Sequence, residues 1–596
     1  MCGIAMVRLR KPLEYYQEKY GTWQYGLQKM YLLLEKQHNR GQEGAGLAAV
    51  KLDVPPGEEY ISRERIEGKN AIQKIFKLIN EGMEHKPAAF FENPAIAKAE
   101  HPFAAEVYLG HLRYSTTDIF GEASLHPFLR RHNWKARTLL LAGNFNFTNV
   151  DELFDHLTLQ GQHPRQKGDA FLMLESLGNQ LDKEVQREYD FIKQRYINDI
   201  KITQKIEEQL DIASFVRKSE QYWDGGYAIC GILGHGDAFA FRDNKAIRPA
   251  FYYADDEIVV VASERPVIET ALNVKEEDVH ELAAGQAIII KKNGDIHFDT
   301  IREPAPELKS CSFERIYFSR GNDSAIYNER KKLGELLAEN ILKSVDYDIE
   351  NTVFSFIPNT AEVAFAGMNE GIKKATGKLP HTEKVLIKDI KLRTFISQNK
   401  ERDDLATHVY DITYGSIRPN MDNLVAIDDS IVRGTTLKQS ILKILYRLKP
   451  KKIVIVSSCP QVRYPDYYGI AMSRMSEFCA FRAAIQLLKD TGKQNIIDEV
   501  YRKSKAQENL PKEEIVNYVK EIYTPFSIDD ISQQIAKMLT PSDVACPVEL
   551  VYQTLEGLHT ACPTHKGDWY FSGDYPTPGG NRLVNKAFIN YYEGLD

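Results

Sequence analysis

Residues Asn423–Leu445, NLVAIDDSIVRGTTLKQSILKIL, decide the fold of the carboxyl-terminal half. The apolar run Leu424–Ile427 predicts a buried strand, and apolar residues at helical spacing from Leu437 to Leu448 predict an amphipathic helix. Other β-rich runs, TVFSFIP, KVLIK and KKIVIVSS, flank this unit with helical segments between several of them. Strands that alternate with helices predict an α/β domain with a parallel, doubly wound sheet.

The loop between this strand and this helix carries a pattern typical of phosphate binding. Asp428 and Asp429 stand at the carboxyl end of the strand, where open α/β sheets bind ligands. Gly434, Thr435 and Thr436 precede the helix, whose first backbone N–H groups attract a phosphate. The carboxylates suit ribose hydroxyls or Mg²⁺, so the loop predicts phosphoribosyl pyrophosphate (PRPP) as ligand. An acidic strand end followed by a solvated helix cap is the alternative.

The amino-terminal half has a different pattern, with short apolar runs bounded by glycine up to about residue 300. It predicts a β-rich α+β domain with hairpins. The chain opens with MCGIAM, and removal of Met1 would place the Cys2 thiol and a free α-amine on one residue. A buried structural cysteine is the alternative. Pro304 and Pro306 mark the predicted boundary between domains 1–305 and 306–596, the second ending in a helical extension.

Composition excludes several classes of protein. The chain of 596 residues has 76 Lys+Arg against 83 Asp+Glu, and this balance does not indicate a nucleic-acid partner. Seven scattered cysteines do not form a secreted disulfide framework. No stretch predicts a signal peptide or a membrane span. We therefore expect a cytoplasmic protein with no membrane partner.

Ordered segments along both halves resemble one family. The loop at Asn423 resembles the PRPP-binding loop of type I phosphoribosyltransferases. The segments MCGIA, NRGQEGAG, GHLRYSTTD, GNFNFTN and GDAFLML resemble the glutaminase half of the amidophosphoribosyltransferases. The resemblance implies an N-terminal nucleophile hydrolase, an αββα sandwich, followed by a type I phosphoribosyltransferase domain. It also implies glutamine-dependent amination of PRPP to 5-phosphoribosylamine, the first committed step of de novo purine synthesis, with release of glutamate and pyrophosphate.

The resemblance assigns five residues to glutamine hydrolysis. Cys2 would attack the amide of glutamine, while Arg113 would bind its α-carboxylate and Asp169 its α-ammonium. Asn144 and the backbone N–H of Phe145 would form the oxyanion hole. Phe145 stands where the family has glycine, and it restricts the backbone there.

The resemblance also assigns the residues that bind PRPP, which are Asp428, Asp429, Ser430, Arg433, Gly434, Thr435, Thr436, Lys388 and Arg393. Thr360, Asp428 and Asp429 would hold Mg²⁺. Two departures concern this site: the family's PDSG is Pro358–Ala361, PNTA, and the loop KDIKLRTFI is one residue shorter. They leave open a non-catalytic regulatory paralogue that binds nucleotides. Another class II glutamine amidotransferase is the second alternative.

Cys311 and Cys562 align with two of the four cysteines that hold an iron–sulfur cluster in some family members. Asp466 and His559 stand at the other two positions, so an iron–sulfur cluster is not expected. The spacing of Cys311, Asp466, His559 and Cys562 leaves a mixed zinc site open. The resemblance further suggests purine nucleotides as inhibitors and a homo-oligomer.

Overall fold

The computed structural model describes residues 1–114, 124–196, 198–388, 410–470 and 472–595. Of the predicted site residues, Arg393 lies outside these ranges. The chain divides into two compact units, Met1–Ser310 with Tyr467–Ala471, and Cys311–Asp466 with Met472–Asp596. The domain boundary predicted after residue 305 falls shortly before this division.

The first unit contains two antiparallel sheets. Strands of the first sheet are β1 (Gly3–Leu9), β2 (Gly44–Val50), β3 (Ile61–Glu67), β4 (Val107–Arg113), β9 (Phe251–Ala254), β10 (Ile258–Ala262) and β11 (His280–Glu281). Strands of the second are β5 (Phe128–Arg130), β6 (Leu139–Phe147), β7 (Gly225–Leu233), β8 (Ala238–Arg242), β12 (Gln286–Ile290) and β13 (Ile296–Thr300). Their orders are β11-β9-β10-β1-β4-β2-β3 and β13-β12-β8-β7-β6-β5, which place β3 and β5 at sheet edges.

Three apolar layers hold this unit together. Ile4 and Met6 of β1 pack with Leu140 and Ala142 of β6 in the core between the two sheets. The opposite faces of the sheets are covered by helices. Those on the first sheet are Leu13–Tyr20, Tyr25–Lys36, Ala71–Glu81, Ala88–Glu92, Pro94–Glu100 and Arg265–Leu272. Those on the second are Val150–Leu159, Asp169–Lys193, Asp199–Gln209 and Ile212–Glu220. The unit is therefore an αββα sandwich.

The second unit is built on a parallel sheet of order β15-β14-β18-β19-β20. Its strands are β14 (Thr352–Phe356), β15 (His381–Thr382), β18 (Asn423–Asp428), β19 (Lys452–Ser457) and β20 (Val548–Tyr552). The helices are Ser324–Leu336, Ala338–Ser344, Glu362–Thr376, Leu442–Tyr446, Cys479–Asp490, Asn495–Ala506, Ile528–Leu539, Leu555–Ala561, Trp569–Ser572 and Pro578–Glu593. The predicted fold class, an αββα sandwich and a parallel α/β domain, is confirmed.

Two details differ from the expectation. The run KVLIK is a strand, β16 (Leu386–Lys388), but it pairs antiparallel with β17 (Tyr410–Ile412) in a separate two-stranded sheet. The helix after the Asn423 loop opens with a π-helical turn, Leu437–Ile441, before the regular helix Leu442–Tyr446. Its apolar face is buried as predicted. Within the described ranges, no helix is long and apolar enough to span a membrane.

Candidate active sites

Strand register brings Cys2 beside the end of β4. Gly3 pairs with Leu112, so Cys2, just before β1, lies next to Arg113 at the end of β4. The thiol donates to the carbonyl oxygen of Tyr114, with an Sγ to O distance of 3.6 Å. Burial raises the pKa of the Cys2 thiol, whereas the positive N-terminus and Arg113 lower it. The net pKa stays above the usual value, so the resting group is the protonated thiol and a base must accept its proton before it can attack.

Asn144 reaches the same point from the second sheet, where it lies on β6. Its side-chain Oδ1 accepts a hydrogen bond from the Cys2 backbone nitrogen at 3.3 Å. Its Nδ2 is buried and has no hydrogen-bond partner among the described residues. A buried donor without a partner costs free energy, about 1–3 kcal/mol. The same amide bonds to the Cys2 backbone, so this donor lies near Cys2, and its role in the oxyanion hole stays a prediction.

Phe145 is accommodated by the glycine two residues before it. A Cβ added at Gly143 would lie 2.5 Å from the Phe145 ring, so a larger residue at 143 would displace that ring. Phe145 lies within β6, paired with Tyr227. The proposed role of its N–H in the oxyanion hole stays a prediction.

Arg113 and Asp169 complete the group around Cys2. Arg113 is buried and donates to the hydroxyl of Ser124. Asp169 is the first residue of the helix Asp169–Lys193, and its Oδ1 accepts from the Ala170 N–H at 2.8 Å. Burial raises the pKa of Asp169 to about 6. The charges of Arg113 and Asp169 both act on the Cys2 thiol. The structure therefore brings together Cys2 and the two residues that were predicted to bind the substrate glutamine.

A buried histidine pair next to this group was not predicted as part of the site. The rings of His111 and His126 are stacked with centroids 4.1 Å apart. His126 Nδ1 accepts from the Gly143 N–H at 3.1 Å, and its ring lies 5.5 Å from that of Phe145. Burial lowers the pKa of His111 to about 3 and that of His126 well below its usual value. Both rings are therefore neutral supports. Of the two histidines, only His111 lies in a motif that indicated this site, GHLRYS; no sequence motif indicated His126.

The acidic pair of the second unit lies at the carboxyl end of β18. Asp428 accepts from the Asp429 N–H at 2.9 Å, and the Ser430 hydroxyl donates to Asp429 at 2.8 Å. Burial raises the pKa of both carboxyls, and the charge of Asp429 raises that of Asp428 further. A hydrogen bond with Thr360 and the charge of Lys388 act on Asp429 in the opposite direction. Two adjacent carboxylates repel each other and favour a cation between or beside them.

The glycine of the loop is required by the backbone. Gly434 has φ +72°, and a Cβ there would lie 2.6 Å from a methyl carbon of Leu539. Its carbonyl accepts from the Lys438 N–H at 3.0 Å, so Thr435 and Thr436 lie within the first turn of the helix. Arg433 forms an ion pair with Glu477, with Nη2 and Oε2 2.6 Å apart. The loop thus connects the acidic strand end to the helix N-terminus through residues 430–434.

The donor set at this site fits Mg²⁺. Asp428, Asp429, Thr360 and Ser430 offer only oxygen atoms, which Mg²⁺ prefers. In the described part of the chain, no group of three or more His, Cys, Asp or Glu side chains could hold a metal. Mg²⁺ commonly keeps several waters and takes its remaining ligands from substrate phosphates. One or two carboxylates therefore suffice for the proposed site.

The structure does not assemble the second candidate metal site. Asp466 accepts from the indole N–H of Trp569 at 2.8 Å. His559 pairs with Asp568 at 2.8 Å, and the Cys311 thiol hydrogen-bonds with a tyrosine hydroxyl, that of Tyr570. Cys562 is buried, and burial raises its pKa above the usual range. All four side chains lie in the described ranges, and they form no group able to hold a metal.

Comparison with known proteins adds independent findings. No protein-family model matches the chain. Amidophosphoribosyltransferase of Pasteurella multocida is 25% identical over 495 residues, covering 81% of this chain and 83% of that protein. The Pseudomonas aeruginosa protein of the same name is 28% identical over 389 residues, covering 63% and 70%. These relatives confirm the expected relationship, over most of the chain, to amidophosphoribosyltransferases.

Solved structures show the same fold. Glutamine PRPP amidotransferase from B. subtilis, complexed with ADP and GMP, superposes with a TM-score of 0.63 at 21% identity and covers 97% of each chain. A structure of the allosteric regulatory enzyme of purine biosynthesis gives a TM-score of 0.64 at 22% identity, covering 97% of this chain and 96% of that one. In each of these solved structures, one chain therefore combines the sandwich and the parallel domain as this chain does.

Proposed function

We propose that this chain, a homologue of the amidophosphoribosyltransferases over most of its length, catalyses glutamine-dependent amination of PRPP in purine biosynthesis. The observation that carries the proposal is the presence of two matched sites on one chain. Cys2 meets Asn144, Arg113 and Asp169 in the first unit. In the second unit, the acidic pair at the end of β18 is followed by the Gly434 loop and a helix N-terminus.

Glutamine hydrolysis would follow from the contacts around Cys2. After removal of Met1, the α-amine accepts the thiol proton and the thiolate attacks the side-chain amide carbon of glutamine. Asn144 Nδ2 donates to the oxyanion. Ammonia leaves with the proton returned by the amine, and water hydrolyses the glutamyl thioester to glutamate. Arg113 and Asp169 hold the α-carboxylate and α-ammonium during both steps.

In the second site the chain's own groups bind and orient PRPP. Asp428 and Asp429 accept hydrogen bonds from the ribose hydroxyls, and the Gly434–Thr436 loop donates to the 5-phosphate. Bound Mg²⁺ would offset the charge of the departing pyrophosphate. Ammonia attacks C1 of the ribose as pyrophosphate leaves. The charge of Lys388 acts on both aspartates, which supports Lys388 as a basic group that binds the pyrophosphate.

Regulation, assembly and location form a second part of the proposal. The B. subtilis relative is complexed with ADP and GMP, which supports purine nucleotides as inhibitors here. A homo-oligomer in the cytoplasm is proposed from the resemblance to the same family.

The alternative is a regulatory paralogue without activity, favoured by Phe145 in the oxyanion segment and by the PNTA segment. Pyrophosphate release from PRPP and Mg²⁺, with glutamine or ammonium as nitrogen source, separates the two functions. The proposed enzyme releases pyrophosphate with both sources. Absence of pyrophosphate with either source, in a folded protein that still binds PRPP, would establish the regulatory alternative.

Asn144→Ala is expected to lower kcat/KM for glutamine by about 10²–10³-fold, because it removes the oxyanion donor. Pyrophosphate release with ammonium should stay at the parental rate, since that reaction does not use this donor. Asn146→Ala, on the same strand, is the control and should change kcat/KM little. Equal losses with glutamine and ammonium would contradict the role and indicate a folding defect.

The pKa of Asp169, about 6, predicts a pH dependence of glutamine use. Above pH 6 the carboxylate attracts the α-ammonium, and below it the protonated acid does not. Below pH 6 we expect an additional fall in kcat/KM for glutamine of about tenfold per pH unit, beyond the loss caused by protonation of the Cys2 α-amine. Asp169→Asn should have a low, flatter profile between pH 5 and 7. A variant profile that keeps the parental inflection would assign that inflection to another group.

Loss of Met1 is expected in the active protein, because a retained Met1 would block the α-amine of Cys2. Met1 is fully buried, so its removal also opens space next to Cys2. Intact-mass spectrometry of purified enzyme measures this directly. Full glutamine-dependent activity in a protein that retains Met1 would exclude the α-amine as the base.

A further inference from the structure

A basic cavity of about 510 Å³ lies in the first unit, and its lining includes none of the residues predicted to act on glutamine. The residues that line it come from three segments of the chain: β3, residues 128–131 in and just after β5, and residues 165–175 around the beginning of the helix Asp169–Lys193. Among them are five arginines, Arg63, Arg65, Arg130, Arg131 and Arg165, against one carboxylate, Glu175. Its volume is within the usual range for small-molecule sites, about 300–1,000 Å³.

Two of the arginines occupy positions where a sandwich normally carries apolar residues. β3 is the edge strand of the first sheet, and Ile61 of this strand packs in the core between the sheets. Side chains alternate along a strand, so Arg63 and Arg65 point to the same side as Ile61. Their Nη1 atoms donate to the carbonyls of Pro127 and Leu125 at 3.2 and 2.9 Å. These bonds hold both guanidinium groups against the segment that precedes β5.

The opposite wall is formed by two arginines with different environments. Arg130 forms a two-point ion pair with Asp182, one bond of which is 3.1 Å. A Cβ at Gly178 would lie 2.5 Å from Cδ of Arg130, so glycine makes room for this side chain. Arg131 pairs with Glu59, and both side chains are more than half exposed. Exposed pairs of this kind contribute little stability, about 0–1 kcal/mol, and an anion can replace the carboxylate.

Aromatic rings complete the cavity. Arg165 is exposed and lies over the Phe171 ring, with Cζ 5.4 Å from the centroid. Phe128 is buried in the wall between the arginines of β3 and β5. The rings offer an apolar surface to the organic part of a ligand, whereas the guanidinium groups match the geometry of phosphate oxygens.

We propose that this cavity is a binding site for a small anion that carries two or more phosphate groups. Five arginines from three elements exceed what one phosphate can contact, and a partly enclosed basic cleft concentrates anions. Inward charges on an edge strand also prevent pairing between sheets, which is the alternative explanation for Arg63 and Arg65. That explanation does not involve Arg131 and Arg165, which lie on other elements.

Titration calorimetry of the full chain with tripolyphosphate, without Mg²⁺, tests this site. We expect Arg63→Gln/Arg65→Gln to weaken binding at the cavity at least about tenfold, because each lost charged hydrogen bond weakens anion binding. Arg63→Lys/Arg65→Lys should restore part of the affinity. Thr435→Val/Thr436→Val, in the proposed PRPP loop, should leave the cavity's affinity unchanged and thus separates the two anion sites.

Further ligands in the same titrations identify which anion binds, and a further variant tests the site in case the first variant does not fold. Orthophosphate should bind at least about tenfold more weakly than tripolyphosphate. ATP binding tighter than tripolyphosphate would assign the aromatic wall to a nucleoside, and equal binding would assign recognition to the phosphates. Arg131→Gln/Arg165→Gln changes exposed side chains only, so its loss of affinity would support the site even if the β3 variant unfolds. Parental binding in both folded arginine variants, or loss only in the threonine variant, would overturn the proposal.

Discussion

Cys2→Ala is expected to abolish pyrophosphate release driven by glutamine, by about 10⁴-fold or more, while release driven by ammonium stays near the parental rate. The variant loses the only atom proposed to form a bond to glutamine, and removal of a nucleophile has effects of this size. Ammonium enters the reaction after this step. Glutamate formation and pyrophosphate release, measured separately with each nitrogen source, provide the test.

A matched control is Cys546→Ala, because Cys546 is a half-buried free cysteine of the second unit. It should leave both activities unchanged. Glutamine-driven release that persists in Cys2→Ala would show that another residue is the nucleophile. Loss of release with both nitrogen sources in a folded Cys2→Ala protein would show that Cys2 also supports the second site.

Asp428→Asn/Asp429→Asn is expected to lower pyrophosphate release at least about 10²-fold with glutamine and with ammonium alike. The amides can still hydrogen-bond to hydroxyls, but they bind Mg²⁺ poorly and lose the orientation that the carboxylates give to the ribose. Basal glutamine hydrolysis at Cys2 should continue, because that site lies in the other unit. Glutamate formation without PRPP is the measurement that distinguishes this loss from global unfolding.

We expect the same double variant, although it loses activity, to be more stable than the parent. Burial raises the folded-state pKa of both carboxyls above their unfolded values. A carboxyl with a raised folded pKa destabilises the fold at any pH where the unfolded-state carboxyl is ionised, and the effect disappears as pH falls below the unfolded pKa. The metal-free variant should therefore melt at a higher temperature than the parent at pH 7, with a smaller difference at pH 4.

Asp411→Asn is the control for charge alone, since Asp411 is exposed on β17 of the same unit. It should change neither pyrophosphate release nor the melting temperature by a measurable amount. A double variant that is inactive and also less stable than the parent at pH 7 would contradict the account of a buried, repelling pair. The aspartates would then be structural residues.

Local sequence patterns were sufficient to predict much of the secondary structure of the second unit. The run Leu424–Ile427 is fully apolar and lies in the buried strand β18. At position 434 only glycine fits the positive φ and the close approach of Leu539. These features depend on neighbours a few residues apart, so composition and spacing reveal them. The run KVLIK shows the limit, because its strand identity is local but its pairing with β17 is not.

The sequence by itself determined the two fold classes, the nucleophile candidate Cys2 and the acidic loop, because each depends on short-range periodicity or on one residue type. Only the tertiary structure decided which groups meet. Cys2 and Asn144 are 142 residues apart, and the packing of two sheets brings them within 3.3 Å. The arginine cavity likewise arises between segments distant in the chain, and the neutral pair forms between His111 of β4 and His126 in the segment before β5. Burial and long-range register set their charge states, and neither can be read from local spacing.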